Sequence, residues 1–105
     1  MRLGYLLARF VDGHPGTRPG RWFGTPALYA GRRLAAYLLD GGVAIRLSDE
    51  LAHEEVASRG QPLGRRDRTA GSWILYRPCG PVDAERLVPL LEAAVRHAAR
   101  RLPSP

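Results

Sequence analysis

Lysine and asparagine are absent from this sequence of 105 residues, and cysteine occurs only once. The single thiol, Cys79, has no partner for an internal disulfide, which excludes a disulfide-stabilised scaffold and fits a reducing compartment. No apolar run approaches the roughly 20 residues of a membrane-spanning helix. Arg9 interrupts the apolar stretch near the N-terminus, and no small-residue cleavage site follows it, so we predict no signal peptide. We therefore expect a cytoplasmic protein.

Residue patterns typical of metal sites and of catalytic sites are also missing. The three histidines are far apart, and no pair of His or Cys residues has the spacing of metal ligands. Glu54 and Glu55 are adjacent on a predicted helix, so their carboxylates point in different directions. Cys79, in a Pro-Cys-Gly-Pro turn, is the one candidate nucleophile, and only a low pKa would make it reactive. We expect no metal, no cofactor and no enzymatic activity.

The charge is strongly basic, and it comes from one residue type. All 16 basic residues are arginine, and the formal net charge is +6. Basic domains often bind nucleic acid. The absence of Lys and Asn, beside abundant Ala, Gly, Pro, Arg and Leu, is instead typical of codon bias in a GC-rich genome. The composition favours codon bias over a polyanion site, and both interpretations stay open.

The hydrophobic pattern predicts helices at both ends of the chain and strands between them. The length fits one domain, residues 1–105. Apolar residues at helical spacing predict a first helix over Arg2–Val11, and Gly and Pro predict a loop over Gly13–Gly20. Three strands should follow in an antiparallel meander, the first from Arg21 to Tyr29, the second at Leu34–Leu39 and the third at Val43–Leu47. Gly31-Arg32 and Asp40-Gly41-Gly42 are the predicted turns.

The second half of the chain predicts a helix, a strand and a closing helix. Ser48 is a good N-cap for a helix over Asp49–Arg59. A polar loop over Gln61–Gly71 and a strand over Ser72–Tyr76 should come next. Pro89 either kinks the last helix or marks the start of its main part. This order indicates an α+β fold, a small two-layer domain in which helices pack on an antiparallel sheet made of the meander plus one later strand.

Several short motifs occur in an order that resembles a known family. They are Phe23-Gly24, Gly31-Arg32, Gly60-Gln61-Pro62 and Ser72-Trp73-Ile74, followed by the closing helix. Over roughly Arg21 to Arg101 this resembles the TfoX N-terminal-domain-like proteins and the related YjbR (MmcQ-like) proteins. The resemblance implies a small α+β domain with no established enzymatic activity, an association with competence regulation, and a suspected role in DNA binding. It assigns no functional residues.

Two sets of residues are candidate binding sites. Arg65, Arg66 and Arg68 form a basic cluster, here placed on a loop, that could meet nucleic-acid phosphates. Trp22, Tyr37 and Trp73 are candidates for lining a small-molecule pocket between the sheet and the helices. The leading hypothesis is a regulatory or interaction domain that binds a macromolecular partner, either protein or DNA. The alternative is a small-molecule-binding module, and a homodimer is compatible with either.

Overall fold

The observed architecture is an antiparallel sheet with helices packed against it. A computed structural model describes residues 3–58, 60–67 and 71–100. Within these ranges the elements are α1 (Leu3–Gly13), β1 (Thr17–Trp22), β2 (Thr25–Ala30), β3 (Arg33–Leu39), β4 (Gly42–Leu47), α2 (Asp49–Ser58), β5 (Gln61–Asp67), β6 (Gly71–Tyr76), α3 (Pro81–Glu85) and α4 (Val88–Arg100). The strand order is β1-β2-β3-β4-β6-β5, and every neighbouring pair is antiparallel. The predicted α+β class is confirmed.

Tight turns connect the first four strands. The predicted turn at Gly31-Arg32 is confirmed, since Ala30 pairs with Arg33. The turn predicted at Asp40-Gly41-Gly42 is confirmed at Asp40-Gly41, but Gly42 pairs with Leu39 and is the first residue of β4. Asp40 and Gly41 have φ angles of 48° and 77°. These values are those of a type I′ turn, which matches the right-handed twist of the strands that it joins.

Three predictions about the strands are wrong. The region from Arg21 to Tyr29 is not one strand, because the chain turns at Phe23-Gly24 and Trp22 pairs with Thr25. The predicted loop at Gly13–Gly20 contains most of β1, and the predicted loop at Gln61–Gly71 contains β5. Both segments are rich in Gly, Pro and Arg and lack an apolar alternation. Their extended form depends on pairing with β2 and β6, which a local pattern does not reveal.

The hydrophobic core lies between one face of the sheet and the helices. Leu28, Ala36, Ile45 and Ile74 are aligned across four strands and are almost completely buried. Side chains of the helices, together with Leu87 between α3 and α4, complete this cluster; the helical ones are Leu7, Phe10, Ala52, Leu90, Leu91 and Ala94. Because side chains alternate along a strand, the neighbours Ala27, Tyr37, Ala44 and Trp73 point to the opposite face of the sheet. Ala35 stays in the core, because the register between β2 and β3 shifts there. The described helices leave the opposite face uncovered.

The helix ends follow from local chemistry. The Ser48 Oγ accepts a hydrogen bond from the Leu51 backbone N–H at 3.3 Å, as expected of an N-cap. Pro89 is the second residue of α4, where the backbone N–H needs no partner within the helix. Of the two predicted alternatives, the start of the main helix near Pro89 is therefore confirmed, and a kink at Pro89 is not observed. None of the described helices has both the length and the apolarity needed to cross a membrane.

Candidate functional site

Three aromatic rings form a row across the face of the sheet that the described helices do not cover. The ring centroids of Trp22 and Tyr37 are 6.4 Å apart, and those of Tyr37 and Trp73 are 5.1 Å apart at an interplanar angle of 65°. The three residues come from β1, β3 and β6. We call this set the aromatic row. Its members are distant in sequence, and only the strand order brings them together.

Strand alternation explains why these rings share a face. Tyr37 pairs with Ala27 on one side and with Ala44 on the other, and Arg46 pairs with Trp73. Both alanines are buried although they lie on the face without helices. Small side chains on the neighbouring strands leave room for the Tyr37 ring, which is itself only half-buried. The row is thus a shallow aromatic surface with a closely packed base.

Arginine side chains lie against aromatic rings on the same face. The guanidinium carbon of Arg46 is 4.9 Å from the centroid of the Trp73 ring, and that of Arg18 is 4.5 Å from the Tyr29 ring. A guanidinium at this distance is attracted to the ring face by about 0.5–1 kcal/mol at an exposed site. The contact with Trp73 holds the charge of Arg46 beside the aromatic row, whereas Arg18 lies near the β2–β3 turn and donates to the Gly31 carbonyl oxygen. Arg46 was not among the predicted site residues, although its alternation with the core residues Ile45 and Leu47 indicated that it faces away from the core.

Charge is distributed unevenly between the two layers. From Thr17 to Leu47, the first four strands and their turns carry five arginines and one acidic residue, Asp40. The four helices that the structure describes carry eight of the ten acidic residues of the chain. A uniform bias toward arginine codons explains an excess of arginine, but it does not explain why the acidic residues concentrate in the helical layer. The sheet layer is therefore the basic side of the molecule.

The structure brings the three predicted aromatic residues together, and it places part of the predicted basic cluster on the strand beside Trp73, since Arg66 pairs with Ser72. Trp22, Tyr37 and Trp73 do lie side by side, but on the face of the sheet opposite the helices instead of between sheet and helices. Arg65 and Arg66 lie in β5, an edge strand, where a loop was predicted. Arg68 lies outside the described residues.

A separate cavity lies among the helices. It has a volume of about 350 Å³ and is lined by Leu6, Phe10, Ala84 and Val88, with Tyr5, Arg9, His14, Pro81 and Glu85 also contributing. No residue of the aromatic row contacts it. Its volume is at the lower end of the range for small-molecule sites.

His14 joins two helices beside this cavity. Its ring stacks on Phe10 with centroids 3.7 Å apart. Its Nε2 lies 2.9 Å from the Glu92 carboxylate, and its Nδ1 lies 2.7 Å from the Phe10 carbonyl oxygen. Both neighbours are acceptors, so only the doubly protonated ring can donate to both. The hydrogen bond to Glu92, followed by that to Phe10, raises the pKa of His14 above its ordinary value of 6.5.

The remaining chemical candidates have simple structural surroundings. Cys79 is exposed, and its backbone N–H donates to the Asp83 carboxylate at 2.9 Å. Over residues 3–58, 60–67 and 71–100, no group of three His, Cys, Asp or Glu side chains is placed to hold a metal ion.

Comparison with known proteins finds no relative. The sequence matches no protein-family model and no curated protein. The fold matches no solved structure.

Proposed function

We propose that this chain is a non-enzymatic interaction domain that binds nucleic acid through the face of its sheet that the helices leave uncovered. The observation that carries the proposal is the aromatic row, with Arg46 stacked on Trp73 at 4.9 Å. Aromatic rings on an open sheet face stack on bases, and arginines beside them contact phosphates. Stacking contributes about 1–3 kcal/mol for each base.

The charge distribution supports nucleic acid over a protein partner of mixed charge. A polyanion is attracted to the basic sheet layer and repelled by the acidic residues of the helices, so it would bind in one orientation. The resemblance to the TfoX N-terminal-domain-like and YjbR proteins is compatible with a regulatory role. We propose membership of that group and a cytoplasmic location together with this function.

Prolines in the edge strands disfavour homodimer formation through the sheet edges. The edge strands β1 and β5 contain Pro19 and Pro62. Proline lacks a backbone N–H, and it is one of the residues by which proteins prevent edge-to-edge pairing. We therefore propose that the domain binds nucleic acid as a monomer. A molecular mass measured by light scattering, with and without an oligonucleotide, tests this.

The test of the function is a fluorescence anisotropy titration with labelled single-stranded DNA, single-stranded RNA and duplex DNA at several salt concentrations. We expect affinity to fall as salt rises, with a log–log slope of about −0.7 for each phosphate contacted on a single strand and about −0.9 on a duplex. A Tyr37→Ala/Trp73→Ala double variant should lose at least tenfold in affinity, because about 1–3 kcal/mol is lost for each ring.

Two matched substitutions test whether binding depends on this face of the sheet or only on the net charge of the protein. Arg46→Gln and Arg9→Gln each remove one arginine that lies over an aromatic ring, on the sheet face and in α1 respectively. Only Arg46→Gln should weaken binding and make the salt slope shallower. An Arg65/Arg66/Arg68→Ala variant tests whether the basic cluster adds contacts. Absence of binding at low salt, or equal losses from both Gln variants, would contradict the proposal and direct the search toward protein partners.

A second candidate function rests on the cavity among the helices. Its volume of about 350 Å³ and its mostly apolar wall suit a small ligand, so we keep a small-molecule-binding module as the alternative. A thermal-shift screen tests it. A stabilising compound should lose its effect in Val88→Phe, which fills the cavity, and keep it in Tyr37→Ala, which lies on the other side of the sheet.

A further inference from the structure

Phe23 occupies an unusual position at the tip of the β1–β2 hairpin. Trp22 pairs with Thr25, so Phe23 and Gly24 alone form the turn, with φ angles of 49° and 81°. This is type I′ geometry, in which both central residues have positive φ. Such a turn favours Asn, Asp or Gly at its first position, and a bulky side chain there is strained. Phe23 is 90% exposed, so burial does not compensate for the strain.

The two other hairpin turns that the structure describes, β2–β3 and β3–β4, use the residues that such turns favour. Asp40-Gly41 has nearly the same φ angles, 48° and 77°, and is a preferred pair for this turn. Gly31 supplies the positive φ, 62°, of the β2–β3 turn. The fold therefore accommodates a favourable residue at this kind of position. Phe23 is the exception, and stability does not account for it.

The surroundings of Phe23 hold its ring at the end of the aromatic row. Its ring meets the edge of Trp22 with centroids 5.0 Å apart at an angle of 76°. The turn beneath is braced by two hydrogen bonds, from Arg21 Nη1 to the Gly24 carbonyl oxygen and from the Thr25 hydroxyl to the Trp22 carbonyl oxygen, both 2.9 Å. A rigid turn presents the ring to solvent in one place, which lowers the entropy lost when it binds.

We propose that Phe23 is a fourth aromatic contact to nucleic acid, which stacks on an unpaired base at the β1 end of the aromatic row and makes the site selective for single strands. The inference rests on the proposed function. The reason for selectivity is steric, because a base within a duplex is already stacked on both sides and offers no face to a projecting ring. A strand that crosses the sheet from β1 toward β6 meets Phe23, Trp22, Tyr37 and Trp73 in that order.

The test compares Phe23→Asn with two other variants. Phe23→Asn creates the preferred Asn-Gly turn, so the melting temperature should stay the same or rise, while affinity for single-stranded oligonucleotides should fall about 5- to 150-fold. Affinity for duplex DNA should change by less than about twofold. Phe23→Trp, which keeps an aromatic ring at this position, should bind single strands with about the wild-type affinity. Tyr5→Ala, which removes an exposed ring from α1, should leave both affinities unchanged.

The outcomes distinguish this inference from the function on which it rests. If the wild type binds single strands and Phe23→Asn binds them equally well, the role of Phe23 is refuted and the proposed function stands. If Phe23→Asn lowers the melting temperature by several degrees, Phe23 is structural and the inference fails. If the wild type binds no nucleic acid, both proposals fail together.

Discussion

Gly42, the first residue of β4, should be unable to accept even a methyl group. It lies beside β6 in the centre of the sheet. A Cβ atom added there would lie 2.5 Å from the Tyr76 carbonyl oxygen and 3.1 Å from Leu75 Cδ1. The nearer obstacle is a backbone atom of the neighbouring strand, so no side-chain rotation relieves the clash. We predict that Gly42→Ala forces β4 and β6 apart.

The expected loss of stability follows from the cost of overpacking. Extra methyl groups in a closely packed region cost about 1–3 kcal/mol, and a rigid backbone obstacle places this case at the upper end. For a domain of about 100 residues, each kcal/mol lowers the melting temperature by about 4–8 °C. We therefore expect Gly42→Ala to melt at least about 8 °C below the wild type. Thermal and urea unfolding, followed by circular dichroism, would measure this.

Two other glycines serve as matched controls. Gly41 has no atom within 4 Å of an added Cβ but has a φ angle of 77°, so Gly41→Ala should show only backbone strain, about 1–2 kcal/mol. Gly13, at the end of α1, has neither a close neighbour nor a left-handed φ, so Gly13→Ala should be neutral or slightly stabilising. If Gly42→Ala is no less stable than Gly41→Ala, the close approach of β4 and β6 is wrong.

Three further predictions concern His14, Ile45 and Cys79. Because the folded pKa of His14 is raised, its bond to Glu92 stabilises the fold fully below the unfolded pKa of 6.5 and is lost as pH rises through the folded pKa. The His14 and Glu92 side chains are 31% and 41% exposed, so Glu92→Ala should lower the free energy of unfolding by at most about 1 kcal/mol near pH 5.5 and not at all near pH 9. A loss in urea unfolding that does not change with pH would refute this. Ile45 is completely buried, so Ile45→Ala should cost about 2–5 kcal/mol and Ile45→Val about 0.5–1.5, and a smaller loss for Ala than for Val would contradict the core assignment. Cys79 is exposed, so Cys79→Ser should change the free energy of unfolding by less than about 0.5 kcal/mol and leave oligonucleotide binding unchanged. If Cys79→Ser abolished activity on any substrate found, the thiol would again be a candidate catalytic group.

The strongest local signals in the sequence predicted the elements best. The turns at Gly31-Arg32 and Asp40-Gly41 were predictable because few residues adopt positive φ. The serine cap of α2 and the apolar stripe of α4 were predictable for similar reasons, since each depends on neighbours within a few positions. The strands β1 and β5 were not. Their residues lack alternation, and their extended backbone is stabilised by partners elsewhere in the chain.

The candidate site was also predictable only in part. Trp22, Tyr37 and Trp73 were predicted to share a site, and they do lie side by side. Their side of the sheet was predicted wrongly, because alternation separates two faces without saying which one the helices cover. Phe23 had a visible signal, a Phe-Gly dipeptide, but the sequence suggested a strand where the chain makes a turn.

By itself the sequence determined the α+β class, the positions of the clearest turns and helix ends, and an excess of arginine that had two explanations. Only the tertiary structure decided that β6 pairs with β4, which aligns Trp73 with Arg46 and brings it to Tyr37. It also decided that the helices, which carry most of the acidic residues, pack on one face of the sheet. The physical reason is that turns and helix ends depend on residues a few positions apart, which a local sequence pattern shows. A surface is assembled from residues far apart in the chain, and no local pattern shows which of them become neighbours.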